Sequence, residues 1–256
     1  MFGLSVAVEA DPVAADGVSL GFVDAEGVER REPLASCSAV AFEESRAVRT
    51  FRSFRGQRNW PGLWWSATAG AHVGFESWLE RDHAMMLDFD STVVGFAPQP
   101  FWLFFAEAGG SPRRHAPDWF ARLEDGRGLV IDCRPDGRIK AKDAVVFEAT
   151  RVACEQVGWQ YRRVGAVDPV LAGNVRWLAG YRHPRHGVAG VVQQVLVAFA
   201  GPGRLSAAAA TVGDPIAVLP VVFHLMWKQV LTADLSVRLG MDTLVWAAPG
   251  WVGGMG

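Results

Sequence analysis

The segment 117–135 has the sequence PDWFARLEDGRGLVIDCRP. Its two ends are apolar enough to predict β-strands, and the stretch around Asp125 and Gly126 has the composition of a hairpin turn. Asp118 and Asp132 lie at equal distances from Asp125 along the chain. A symmetric hairpin would therefore place both carboxylates opposite each other on one face of the sheet. A shift of the register by one residue would place them on opposite faces.

The patterns around this hairpin predict an α/β fold. Helices are expected at 72–87 and 142–157, and strands at 93–96, 99–105, 117–123, 129–134 and 159–165. Antiparallel strands would thus precede a helical crossover to the last strand. The chain is expected to divide into an N-terminal β extension at 1–45, an α/β core at 46–185 and a C-terminal helical, winged-helix-like unit at 186–256.

Composition limits the class of protein. Of 256 residues, 50% are hydrophobic, which is enough for a sizeable core and excludes disordered and collagen-like chains. The formal net charge of -2 gives no indication of nucleic-acid binding. The three cysteines include no CxxC pair, which argues against a disulfide framework or a cysteine zinc site. Without a signal-peptide pattern or an apolar stretch of membrane-spanning length, the chain is expected to be cytoplasmic.

The paired aspartates suggest a metal. Two carboxylates as close as Asp118 and Asp132 would repel each other unless a cation or a shared proton lay between them. Oxygen ligands of this kind suit Mg²⁺, whereas the surrounding residues offer no set of histidines or cysteines for zinc. Strand alternation places Arg134 on the face of Asp132, where it could meet a phosphate. The alternative is that Arg113, Arg114 or Arg134 balances the two acids without a metal.

Arginines and aromatic residues alternate over 46–65. The arginines are Arg46, Arg49, Arg52, Arg55 and Arg58. Such a stretch could follow a phosphate backbone, with the aromatic rings offering stacking surfaces. It could equally be a solvated face whose arginines pair with nearby carboxylates, and spacing does not decide between the two.

Four short motifs resemble the PD-(D/E)xK nuclease superfamily, and more closely the TnsA-like endonuclease subunits of heteromeric transposases. They are Ser77-Trp78-Leu79-Glu80, Gln99-Pro100-Phe101-Trp102-Leu103, Pro117-Asp118-Trp119-Phe120 and Ile131-Asp132-Cys133-Arg134-Pro135. The resemblance covers about residues 49–165 and implies a restriction-endonuclease-like mixed sheet flanked by helices.

The resemblance also implies a site and its partners. Glu80, Asp118 and Asp132 would hold Mg²⁺, or Mn²⁺ as a substitute, with the carbonyl of Cys133 as a further oxygen ligand. Double-stranded DNA would be the substrate, and an integrase-type recombinase would be the partner subunit. The candidate DNA contacts are Gln99 together with Arg49, Arg52, Arg55 and Arg58.

Arg134 departs from the family pattern, which has a lysine at this position. Arginine stays protonated in proteins and cannot act as a general base, but its fork could bind the scissile phosphate and stabilise the charge that develops there. Together with the three acids it completes the expected catalytic set of an endonuclease acting at a transposon end. Two alternatives remain open: a stand-alone restriction or repair nuclease, and a non-catalytic DNA-binding or assembly protein on a nuclease fold.

Overall fold

The computed structural model describes residues 17–50, 60–106 and 111–249, and the fold is mixed α/β. The α-helices are α1 (Trp78–Phe89), α2 (Ala141–Gln156), α3 (Pro169–Ala179), α4 (Ala189–Ala198), α5 (Leu205–Val212) and α6 (Pro215–Trp227). The strands in the first part of the chain are β1 (Ser19–Val23), β2 (Glu29–Pro33), β3 (Gly62–Ser66), β4 (Ala71–Phe75), β5 (Val93–Pro98), β6 (Trp102–Ala106) and β7 (Pro112–His115). The remaining strands are β8 (Trp119–Leu123), β9 (Gly128–Cys133), β10 (Gln160–Val164), β11 (Gly203–Arg204), β12 (Leu231–Thr232) and β13 (Leu244–Ala247).

The predicted hairpin is confirmed as β8 and β9, and it lies inside a four-stranded mixed sheet. The strand order of this sheet is β10-β9-β8-β5. β5, β8 and β9 are successively antiparallel, and β10 is parallel to β9 after the crossover through α2. The expected order of antiparallel strands, helix and final strand is therefore correct.

A second four-stranded sheet contains the N-terminal strands, in the order β2-β1-β6-β7. β1 pairs with β6, since Ser19 lies opposite Phe104. β7 was not predicted from the sequence. The described part of 1–45 is therefore built into the sheet of the core and is not an appended extension.

The chain divides into two compact units. The first comprises the described residues up to Gly62 together with Val73–Glu80 and Val93–Gly165. The second comprises Leu63–His72, Arg81–Thr92 and the described residues from Ala166 onward. This division differs from the predicted boundaries after residues 45 and 185, because long-range strand pairing and helix packing determine the units.

The core of the first unit forms around Phe42. Its ring makes edge contacts with Phe22, Phe101, Phe120 and Trp159 at centroid distances of 4.9–5.6 Å. Apolar residues of both four-stranded sheets and of α2 belong to the same buried cluster. This packing fixes β8 and β9, whose ends carry the candidate acids.

In the second unit, buried residues of α3, α4, α5 and α6 form one apolar core. Asp168 begins α3 as its N-cap, with Pro169 in the first turn. The short sheet has the order β11-β13-β12. Within the described residues, no single helix combines the length and apolar composition of a membrane span. α5 and α6 meet those criteria only as a pair, with a bend of 118° between them.

Candidate functional site

The register of β8 and β9 brings Asp118 and Asp132 to opposed positions. Trp119 lies opposite Ile131 in the antiparallel ladder, so the next pair of positions is that of the two aspartates. This is the register predicted from the symmetry of the turn. The carboxylate of Asp118 also reaches across to β9, where Oδ2 accepts a hydrogen bond from the backbone N–H of Cys133 at 2.7 Å.

Asp132 is 2% exposed and is held by two neighbours that the sequence did not indicate. Nε2 of His115 lies 2.8 Å from Oδ1, and the hydroxyl of Tyr161 donates to Oδ2 at 2.8 Å. The pKa of Tyr161 is raised, first by burial and then by the charge of Asp132, so its hydroxyl remains a donor. These contacts fix the orientation of the Asp132 carboxylate.

The pKa of Asp118 is raised well above its usual range. Burial is the largest cause, followed by the negative charges of Asp132 and Glu80, while the N–H of Cys133 and the charge of Arg49 act in the opposite direction. Burial, and then the charges of the same three acids, likewise raises the pKa of the Cys133 thiol. Three acids from separate elements therefore act electrostatically on one another.

Glu80 has a structural function in addition to its charge. Oε1 accepts from the hydroxyl of Ser77 at 2.8 Å, Oε2 accepts from the N–H of Glu76 at 2.8 Å, and the Ser77 hydroxyl accepts from the N–H of Glu80 at 3.2 Å. This arrangement resembles a capping box at the start of α1, except that Glu80 accepts the N–H of Glu76, the residue before the N-cap Ser77. It explains why the helix begins at Trp78, whereas the sequence predicted a helix from residue 72; residues 71–75 form β4.

The positive charge of Arg49 acts on this acidic cluster. Nη2 of Arg49 forms an ion pair with Oε2 of Glu76 at 2.8 Å. Burial raises the pKa of Glu80, as it does that of Asp118, and the charge of Arg49 acts against both increases. Arg52, Arg55 and Arg58 lie outside the described residues. Arg49 is thus paired with a carboxylate, as expected if the arginine-rich stretch is a solvated face whose arginines pair with nearby acids.

Gln99, a predicted DNA contact, is 1% exposed. Its backbone N–H donates to the carbonyl of Asp118 at 2.9 Å, and its φ of 45° lies in the left-handed region. Among the described residues, neither Nε2 nor Oε1 of its side chain has a hydrogen-bond partner. The side chain therefore lies in the interior next to the strand of Asp118 and does not reach the surface.

Arg134 is exposed directly after β9. Its backbone N–H donates to the carbonyl of Val164 at 2.8 Å, which extends the pairing of β9 with β10 beyond Cys133. Strand alternation places it on the same face as Asp132. Asp118, Asp132 and Arg134 thus lie at one end of the same sheet, whereas Glu80 lies on α1.

The donor chemistry of the cluster suits a hard divalent cation, because its charged groups are carboxylates whose mutual repulsion such a cation would relieve. The side chains are not arranged around a common point: across 17–50, 60–106 and 111–249, no group of three or more His, Cys, Asp or Glu residues has the geometry to hold a metal ion. Binding would require Glu80 and Asp132 to share or exchange their present hydrogen bonds. The chain matches no protein-family model, and a search of curated proteins finds no match.

Proposed function

We propose that this protein is a Mg²⁺-dependent DNA endonuclease. The observation that carries the proposal is the opposed placement of Asp118 and Asp132 at the ends of β8 and β9. Burial, and then the charges of Asp132 and Glu80, raise the pKa of Asp118 there. An unfavourable concentration of negative charge at one end of a sheet costs stability in the free protein. It is useful where a divalent cation binds, and perturbed carboxylates of this kind are characteristic of functional sites.

The residues of the cluster have separable functions in this proposal. Asp118, Asp132 and Glu80 would hold the ion with the carbonyl of Cys133, and the ion would supply a water of lowered pKa and a Lewis acid for the phosphate. His115 and Tyr161 hold Asp132 in its orientation. Arg134 binds the phosphate through its guanidinium and stabilises the negative charge that develops there, without accepting a proton.

The order of elements supports the same proposal. Apart from β6 and β7, which belong to the second sheet, the elements from α1 to β10 run as helix, three antiparallel strands, helix and parallel strand. This order is compatible with a restriction-endonuclease-like core. α4, β11, α5, α6, β12 and β13 follow the order of a winged-helix-like unit. The resemblance of the motifs further suggests a subunit of a heteromeric transposase that acts with an integrase-type recombinase on double-stranded DNA.

A second candidate function is a non-catalytic DNA-binding or assembly protein. The capping hydrogen bonds of Glu80 favour it, since they give this motif residue a structural purpose that is independent of any metal. The presence of arginine at position 134 favours it as well.

Calorimetric titration with Mn²⁺ and cleavage of supercoiled plasmid in Mg²⁺ test the proposal. We expect Asp118→Asn to abolish both metal binding and cleavage. Asp125→Asn is the matched control, because Asp125 lies at the turn of the same hairpin and forms an exposed ion pair with Arg127. Equal cleavage by Asp118→Asn and the wild type would refute the assigned functions, and salt-sensitive DNA binding without metal binding would favour the second candidate.

The need for a partner separates the two kinds of nuclease. A transposase subunit should cleave only when its recombinase is present, whereas a stand-alone restriction or repair nuclease should cleave alone. The plasmid assay is therefore run with and without the recombinase.

A further inference from the structure

The segment 134–142 follows the strand of Asp132 and is rich in exposed cations. Arg134, Arg138, Lys140 and Lys142 are all exposed. Two of the three lysines of the whole chain are among them. In the part of the chain that the structure describes, none of these four side chains forms an ion pair or a hydrogen bond with another side chain.

The acids of this region are engaged elsewhere. Asp136 binds Nη1 of Arg163 at 2.6 Å, and the carboxylate of Asp143 accepts the backbone N–H of Lys140 at 3.2 Å. Arg163 also donates to the carbonyl of Arg134 at 3.2 Å, so it holds the segment against β10. The positive charge of the four exposed side chains is therefore not neutralised locally.

Arginines elsewhere in the same unit contrast with this segment. Several are paired with carboxylates, among them Arg30 with Asp24 and Arg122 with Glu43. Arg127 pairs with Asp125 at the other end of the β8–β9 hairpin. Arg151, on the later part of α2, pairs with Glu148 and Glu155. The segment 134–142 thus places four exposed cations without a carboxylate partner among the described residues close in sequence to Asp132.

The two lysines occupy positions that a helix start does not favour. Lys140 is the N-cap of α2, where Ser, Thr, Asp or Asn is preferred, and Lys142 is in the first turn. Positive charge at this end opposes the helix dipole. Lysines at these two positions reduce the stability of α2, and an anion bound nearby would compensate for this loss.

We propose that the segment 134–142 is the surface that binds the phosphate backbone of duplex DNA. Four exposed cations on one short segment suit a chain of closely spaced phosphates, and their position directly after Asp132 brings that backbone to the candidate cutting site. This surface is additional to the predicted DNA contacts of the arginine-rich stretch, of which Arg49 is paired with Glu76. The identity of the polyanion as DNA rests on the proposed function.

Binding is tested by fluorescence anisotropy with a labelled DNA duplex at several salt concentrations, in EDTA so that metal-dependent cleavage cannot occur. The variants are Arg134→Gln/Arg138→Gln and Lys140→Gln/Lys142→Gln. The matched control is Arg127→Gln/Arg151→Gln, which removes the same charge from paired, exposed arginines of the same unit.

The slope of log K against log salt is negative, and each lost phosphate contact makes it shallower by about 0.9. Each test variant lacks two contacts, so its slope should be shallower than that of the wild type by about 1.8. The control should keep the wild-type slope. Slopes unchanged in both test variants, or an equal loss in the control, would overturn the inference. Tighter binding of a matched RNA duplex would overturn DNA as the partner. A wild type that binds DNA through this segment but does not cut it in Mg²⁺, with or without the recombinase, would refute the proposed function alone.

Discussion

Replacing Gln99 with methionine should stabilise the fold. The side chain of Gln99 is buried, and its amide has no hydrogen-bond partner within the described residues. Methionine has a similar length and volume but carries no amide. The backbone hydrogen bonds, from the N–H of Gln99 to Asp118 and from the N–H of Val48 to Gln99, do not depend on the side chain.

The expected gain follows from the cost of burying an unpaired polar group, which is about 1–3 kcal/mol in proteins. Because methionine retains the packing of the side-chain methylenes, most of this cost should be recovered as free energy of unfolding. The left-handed φ of 45° is the same in both proteins and cancels in the comparison. For a chain of this size each kcal/mol corresponds to roughly 2–4 °C in Tm.

Urea denaturation followed by circular dichroism measures the effect, with equal m values required for the comparison. Gln99→Asn is the control, since asparagine tolerates the left-handed region and keeps a buried amide, so it should show no comparable gain. A methionine variant that is no more stable than the wild type would refute the reasoning, because it would mean that the amide is hydrogen-bonded in solution.

Three further predictions concern single acids. Glu80→Gln should leave stability nearly unchanged, because the amide oxygen can accept from the N–H of Glu76 while the amide NH2 donates to the hydroxyl of Ser77. Ser77→Ala should cost about 1 kcal/mol in urea denaturation. Under the proposed function, Glu80→Gln nevertheless weakens Mn²⁺ binding in calorimetry. Folding raises the pKa of Asp118, so the stability of the wild type should fall as pH rises through that pKa. The gain in stability of Asp118→Asn over the wild type should therefore grow with pH. An equal difference in stability between the two proteins at acid and neutral pH would contradict this. The carboxylate of Asp88 accepts four hydrogen bonds from residues 64–68, so Asp88→Asn should lower the thermal midpoint by an amount equivalent to about 3 kcal/mol. An unchanged midpoint would show that these hydrogen bonds do not stabilise the fold.

The local part of the fold could be predicted from the sequence because its signals are local. The turn at Gly126, where φ is 84°, lies between two apolar strands, and its symmetry was enough to pair Asp118 with Asp132. Asp168 and Pro169 likewise mark the start of α3. The pairing of β1 with β6 joins residues far apart in the sequence. Alternation of apolar and polar residues predicts that a segment is a strand, but it does not predict which strand will lie beside it.

Of the candidate site, only the acidic residues could be predicted from the sequence. His115 and Tyr161 reach Asp132 because β7 and β10 are brought to it by the sheets, and neither residue stands in a motif. The S-x-x-E pattern at Glu80 matches both a nuclease motif and a capping box, so the sequence could not separate the two functions. Gln99 was expected at a DNA surface, and its burial depends on packing that a linear pattern does not contain.

The composition of α6 bears on where DNA can bind. In the winged-helix-like arrangement that we propose for the C-terminal unit, α6 would be the helix that enters the major groove. It contains no Asp, Glu, Lys or Arg, and most of its second half is buried. Ile216, near the start of α6, is 84% exposed. Its apolar side chain cannot form a hydrogen bond with a base edge. A helix of this kind can pack against apolar surface but does not read bases or neutralise phosphates. Under the proposed function, the phosphate contacts would therefore come from other elements, such as the exposed cations of the segment 134–142.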